Sequence, residues 1–288
     1  MYNTVTTQAD FLQEKLLPGP APVRRVAHLS DLHVLAPLRR QAWGQHLVSI
    51  GRPLDAFARR AKVKRALTAA ARSGADHIVV SGDLTEMGTD RELETFAEMM
   101  DEARLDPDKV TLVPGNHDAY TTTDAFSRAL DGPLKAFRRC AAEEHGKVVD
   151  LGHMYLLPLD VTRAQPVTRS AGEISADGIR AVAGRMSDPT LKKKPVLVVQ
   201  HHPPFEHARK AWQWIDGLIG ASALAESFAR HERVQVLHGH LHKAVDKVFG
   251  VASARAFGAA AVVDDDEDVP RVRLYEWHDG ALGAAGMA

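Results

Sequence analysis

The sequence predicts a layered α/β fold in which two β-sheets pack together with helices outside. Short β-branched runs alternate with longer Ala-, Leu- and Arg-rich stretches of helical period. Val79-Val80 and Val196 to Val199 are continuously apolar, as strands buried on both faces are. From Val234 onward, strand-like runs follow one another with no helix between them, which calls for a second, differently connected sheet.

Taken in order, residues 1–22, punctuated by Pro18, Pro20 and Pro22, read as a flexible lead-in, and 23–288 as one domain. Strands are expected at 25–30, 77–81, 110–113, 154–159, 195–200 and 234–238. Helical period marks 54–72, 90–103, 124–144, 175–186 and 221–231. The runs 245–249, 251–257, 259–263 and 272–277 read as further, antiparallel strands. The acidic run Asp264 to Asp268 reads as a solvated hairpin loop.

Composition narrows the class. A chain of 288 residues, 45% hydrophobic and 25% charged, can bury a full core. A formal charge of −1 argues against a duplex nucleic-acid binder, which would be strongly basic. One cysteine, Cys140, excludes an internal disulfide framework and fits a reducing, cytoplasmic setting. No apolar run approaches the roughly 20 residues of a membrane-spanning helix. The first 22 residues lack the basic start and apolar core of a secretory signal.

The chemistry lies in the histidines. Five short segments each place a metal-type ligand just past an expected strand: Asp31-Leu32-His33, Gly82-Asp83, Gly115-Asn116-His117-Asp118, His201-His202 and Gly239-His240-Leu241-His242. The carboxyl ends of strands are where α/β sheets bind ligands. In extended backbone, residues two apart point the same way, so Asp31 with His33, and His240 with His242, can face one ion while each intervening Leu turns to the core. Carboxylate, amide oxygen and imidazole together suit Mn, Fe or Zn rather than a thiolate site. Asp83 has two carboxylate oxygens and could bridge two ions. Gly82, Gly115 and Gly239 precede ligands and allow tight turns. Two ions roughly 3.5–4 Å apart can hold a phosphate and lower the pKa of a shared water.

The pattern D-x-H, G-D, G-N-H-D, H, G-H-x-H, running from Val26 to His242, resembles the calcineurin-like metallophosphoesterase superfamily. That resemblance implies a four-layer α/β/β/α sandwich of two mixed β-sheets flanked by helices, with a dinuclear site on its loops. Position by position, it implies that Asp31, His33 and His242 hold a first metal, that Asn116, His201 and His240 hold a second, and that Asp83 bridges. It further implies that His117 is no ligand but faces the leaving-group oxygen. Asp118 would orient His117 by accepting its other ring N–H, or is instead a turn-forming Asx residue. His202 reads as support rather than ligand, and His28 as a core or near-site residue.

Ser81-Gly82-Asp83-Leu84-Thr85 with Gly88, and His201-His202-Pro203-Pro204, are similar to class III cyclic-nucleotide phosphodiesterases and glycerophosphodiesterases. The implied activity is hydrolysis of a small phosphodiester by attack of a metal-bound hydroxide. A phosphomonoesterase or nucleotidase on the same site is the alternative, and an inactive binding scaffold of the same fold the alternative from another class. Two segments could bear on the substrate. Between Val34 and Arg65 lie Arg39, Arg40, Arg52, Arg59, Arg60, Lys62, Lys64 and Arg65 against one acid, Asp55. They could meet an anionic substrate or lipid headgroups in weak peripheral contact, or form a solvated helix face. Trp212 and Trp214 could cap the site and stack on a nucleobase, or pack a helix.

Overall fold

The computed structural model describes residues 23–37, 46, 49, 52–250 and 254–287. Its strands are β1 (Arg25–Leu29), β2 (His77–Ser81), β3 (Val110–Val113), β4 (Val149–Asp150), β5 (Tyr155–Pro158), β6 (Gly172–Glu173), β7 (Val196–Val199), β8 (Leu218–Ile219), β9 (Val234–His238), β10 (Val245–Phe249), β11 (Ala254–Gly258), β12 (Arg273–His278) and β13 (Ala281–Met287). The helices are α1 (Ala56–Arg72), α2 (Asp90–Glu102), α3 (Ala125–Asp131), α4 (Ala176–Ser187), α5 (Lys210–Asp216) and α6 (Ala221–Phe228). A five-stranded sheet runs β13-β12-β1-β2-β3, a six-stranded sheet β10-β11-β9-β7-β5-β4, and β6 pairs with β8.

Side-chain alternation along each strand builds the layers. In β2, Val79 packs with Leu197, Val199, Leu237 and Phe257 between the sheets. Its neighbours Ile78 and Val80 face Val63 and Leu67 of α1 and Phe96 and Met100 of α2. In β7, Val196 and Val198 meet Val182 of α4 and Leu224 and Phe228 of α6. The result is the expected α/β/β/α sandwich, with both faces of the central strands apolar.

Capping fixes where the helices start. Asp55 accepts from the backbone of Phe57 and Ala58 at α1. Thr89 and Glu92 form a reciprocal capping box at α2.

Four strand or helix expectations are corrected. The span 124–144 is not one helix: α3 ends at Gly132, and Pro133 follows, so the chain resumes as a 3-10 stretch over Lys135–Cys140. The last part is not simply antiparallel, because β11 runs parallel to β9 while β12 crosses to lie antiparallel beside β1. Residues 259–263 form no strand, only a bridge of Ala261 to Ser30. Strand β13, unforeseen because its Ala-Leu-Gly-Ala-Ala-Gly-Met has no β-branched residue, forms by pairing with β12. Residues 1–22, Arg39, Arg40 and 251–253 lie outside the described residues.

Candidate metal centre

Parallel strands β1, β2 and β3 of one sheet and β7 and β9 of the other end at a common edge. The five ligand-bearing segments follow them directly. Within each sheet, backbone bonds tie neighbouring loops together there, and His240 N crosses between the sheets to the Asp31 carboxylate at 3.2 Å. Asp31 N donates to Gly82 O (3.0 Å), Leu32 N and His33 N to Asp83 O (2.9 Å each), and Gly239 N to His201 O (3.0 Å).

The two D-x-H-type pairs do not converge through extended backbone. Among the described residues, eight that are not glycine have positive φ, and five of them are Asp31 (55°), His33 (48°), Asp83 (49°), His240 (67°) and His242 (55°). Each such conformation costs about 1–3 kcal/mol in a non-glycine residue. The surrounding hydrogen bonds hold the strain, and left-handed turns aim the side chains. Leu32 is buried as expected, but Leu241 is only partly so. The glycines act differently from one another. Gly82 is itself left-handed (φ 105°), and a Cβ there would meet the His201 ring at 2.3 Å. Gly115 has no positive φ; a Cβ on it would lie 2.2 Å from Asp83 Oδ1. It is needed for close approach.

One ligand atom each from Asp31, His33 and His242 lie within 4.8 Å of one another, and so do atoms of Asp31, Asp83 and His201. Asp83 Oδ2 stands 3.6 Å from His33 Nε2 and 3.3 Å from His201 Nε2. Asp31 Oδ1 stands 3.4 Å from His242 Nε2. Asn116 joins them through the next residue, whose backbone N–H donates to Asp83 Oδ1 at 2.9 Å. His240 lies beside His201, ring centroids 5.3 Å apart.

The atoms fit cations. His33 Nε2, His201 Nε2 and Asn116 Oδ1 are buried with no hydrogen-bond partner, an arrangement costly in an apolar interior unless an ion supplies the bond. Burial opposes charge on Asp83, yet His201, His117 and His33 hold its carboxyl well below the usual range. Burial likewise opposes charge on His201, yet Asp83 and Asp31 push its imidazole up to about 9. The space between them draws positive charge.

Each histidine ligand candidate has its other nitrogen, or its ring, fixed from behind. Buried Glu86 stands 3.1 Å from His33 Nδ1. The Ser81 carbonyl takes His201 Nδ1 at 2.8 Å. The Asp216 carbonyl takes His240 Nε2 at 2.8 Å, with its carboxylate at 3.0 Å. Asp264 takes His242 Nδ1 at 2.7 Å. Asn116 Nδ2 donates to the Tyr120 hydroxyl at 3.0 Å, leaving Oδ1 for the site.

The acidic run is not solvated throughout: Asp266, Glu267 and Asp268 are exposed as expected, but Asp264 braces His242, and buried Asp265 pairs with Arg65 at 3.0 Å. Nor is the basic stretch an open cationic face. Arg59 is buried and pairs with Glu86, and Lys62 donates to Val263 O at 2.8 Å. Arg60 pairs with Glu102. Lys64 stays exposed, and Arg39 and Arg40 lie outside the described residues. Arg52 turns inward, its guanidinium 3.4 Å from His242 Nε2 and 3.7 Å from Glu86.

Asp118 does not orient His117. Its carboxylate accepts from Leu84 N (3.0 Å), Thr85 N (2.8 Å), Thr85 Oγ1 (2.7 Å) and Gly115 N (2.8 Å), so it is neither an orienter nor an Asx turn former but a tie between the loops after β2 and β3. His117 Nδ1 instead meets the Glu86 carbonyl at 2.8 Å. His202 Nε2 bonds Ser170 O at 2.6 Å and stacks on His240, ring centroids 4.2 Å apart, which is support. His28 is buried between Ser81 Oγ (2.7 Å) and the Tyr275 hydroxyl (3.3 Å). Sequence reasoning missed Glu86, Tyr120 and Asp216. Glu86, three residues after Asp83, carried a local signal; Asp216, distant from every motif, carried none.

A family model described as calcineurin-like phosphoesterase matches residues 24–244. The chain belongs to the calcineurin-like phosphoesterase family. Members of this family bind two metal ions, which accords with the clusters above. A dimetal phosphatase from Danio rerio is similar in structure, with TM-score 0.62 and 13% identity over 93% of this chain and 96% of that one. The purple acid phosphatase from yellow lupin, Lupinus luteus, is also similar, with TM-score 0.55 and 10% identity over 93% of this chain and 54% of that one. At such identities the likeness is one of fold. No curated protein sequence matches the chain. Among the described residues of this phosphoesterase-family chain, no helix is long and apolar enough to cross a membrane.

Proposed function

We propose that the chain is a dimetal hydrolase of a small phosphodiester. The convergence of Asp31, His33, Asp83, His201 and His242 at one edge of the sandwich carries the reading. In it, Asp31, His33 and His242 take the first ion, Asn116, His201 and His240 the second, and Asp83 lies between, with Mn, Fe or Zn suiting the donors. Two such ions supply a water of lowered pKa and positive charge for the phosphoryl oxygens. The chain's own residues do the positioning. The Asp83 carboxylate is pinned by His117 N on one oxygen, which leaves the other for the space between His33 and His201. His117 donates through Nδ1 to the Glu86 carbonyl, so Nε2 is the atom available to a leaving-group oxygen.

The diester preference is supported by the motifs around Gly82-Asp83 and His201-His202-Pro203-Pro204. Arg52 favours a second reading, a phosphomonoesterase or nucleotidase. A guanidinium 3.4 Å from His242 Nε2 can pair with the extra charge of a monoester dianion. Mn-loaded protein should turn over bis(p-nitrophenyl) phosphate faster than the mono-ester, and Asp83→Ala should lose both activities. Turnover that survives Asp83→Ala or exhaustive chelation would overturn the dimetal reading. Fewer than one ion per chain in the Mn-loaded protein would favour a binding scaffold.

A further inference from the structure

Helix α5 is odd for its place. None of its residues is buried, yet it carries Trp212 and Trp214, 52% and 59% exposed, so helix packing does not account for them. The helix is nevertheless bolted to the metal centre. Its last residue, Asp216, holds His240 Nε2 and also takes the Ser170 hydroxyl, while the Ser170 carbonyl holds His202. From the other side, Asn116 Nδ2 donates to Tyr120, and Tyr120 donates to the Arg169 carbonyl at 3.1 Å. Arg169 then reaches back. Its Nε and Nη2 donate to Trp214 O (3.0 and 2.6 Å), and its guanidinium lies 4.0 Å over the Trp214 ring.

The bonds from Asn116 end at Arg169, whose guanidinium covers the Trp214 ring, and Asp216, two residues further on in the same helix, braces His240, so α5 is anchored beside that half of the centre. A half-exposed tryptophan clamped by an arginine is preorganised: its rotamer entropy has been lost before any ligand arrives. We propose that Trp214, held by Arg169, is a stacking wall for a planar aromatic group on the substrate, so that the organic moiety recognised is a nucleobase. Resting on the phosphoesterase reading above, this names its substrate class. A second copy of the chain is the competing occupant, but the hydrogen bonds run into the centre, not across a broad apolar face.

The test uses the Mn-loaded full chain and two probes, adenosine 5′-monophosphate and ribose 5-phosphate, in calorimetric titration. Stacking of a base on an aromatic converts to roughly five- to a hundredfold in Kd. Wild type should bind the nucleotide tighter by a factor in that range. Trp214→Ala should bring its Kd to that of ribose 5-phosphate, whose own Kd stays put, and Trp214→Phe should restore part of the gap. Equal Kd values in wild type, or a gap that survives Trp214→Ala, overturn the wall while leaving the phosphoesterase reading intact. Failure of Mn-loaded wild type to bind either probe overturns the wall, and turnover of bis(p-nitrophenyl) phosphate by the same protein decides the phosphoesterase reading separately. A wild type that sediments as a dimer and a Trp214→Ala variant that does not assign the indole to a second copy instead.

Discussion

Glu86→Gln separates what the buried acid does for stability from what it does for the ions. Glu86 is fully buried and bonded to Arg59, itself only 3% exposed, and to Ser49, with His33 Nδ1 at 3.1 Å. Burial alone would raise its carboxyl, but His33, His117 and Arg59 hold it well below the usual range. The substitution keeps the shape and removes the charge. Arg59 is left as a buried cation, and breaking such a pair costs about 3–5 kcal/mol. Because the amide can still accept from Arg59, the low end, about 3 kcal/mol, is expected. His33 Nδ1 then faces a neutral amide in place of a carboxylate at 3.1 Å, and weakening such an orienting partner lowers metal affinity roughly 10–100-fold. Urea unfolding of the metal-free protein reads the first effect, and Mn titration followed by electron paramagnetic resonance reads the second. Adding Arg59→Met should recover much of the stability and none of the Mn affinity. A single variant within about 1 kcal/mol of wild type, with Mn affinity unchanged, refutes the assignment.

Two further outcomes follow from buried contacts. Gly115→Ala sets a methyl 2.2 Å from Asp83 Oδ1 and 2.4 Å from Asp83 N, against backbone that cannot yield. Mn stoichiometry should fall below two ions per chain with the fold retained by circular dichroism, and a variant that still holds two disproves the close-approach argument. His77, buried and 2.8 Å from Thr111 Oγ1, is lowered from 6.5 to about 4, by burial first and the Arg139 charge second. The folded form stays neutral while the unfolded chain takes up a proton, so its contribution is whole above pH 6.5 and lost as pH falls toward 4. By pH 5 that loss is about 2 kcal/mol. In metal-free protein, the stability advantage of wild type over non-titrating His77→Gln should shrink by that amount between pH 7.5 and 5, and parallel pH profiles would contradict it.

Much of this protein is legible one segment at a time. Strands β2, β3, β7 and β9 announce themselves through Val- and Ile-rich runs, because a strand buried on both faces is mostly apolar. Asp31, His33, Asp83, Asn116, His201, His240 and His242 stand out as candidate ligands because metal chemistry favours those residue types at strand ends, where glycines let the loops turn or approach. What segments alone did not determine is everything set by neighbours distant in the chain. Asp216, Asp264 and Tyr120 carry no motif until packing brings them behind His240, His242 and Asn116. Asp118 read equally as orienter or turn former, and the convergence of Leu84, Thr85 and Gly115 on its carboxylate made it a tie between two loops instead. The left-handed backbone at five ligand positions has no local signature either, because Asp and His enter that region only where surrounding bonds hold them there. Ligand identity is a property of side-chain chemistry and can be read along a line. Ligand orientation depends on contacts across both sheets, and exists only once the chain has folded.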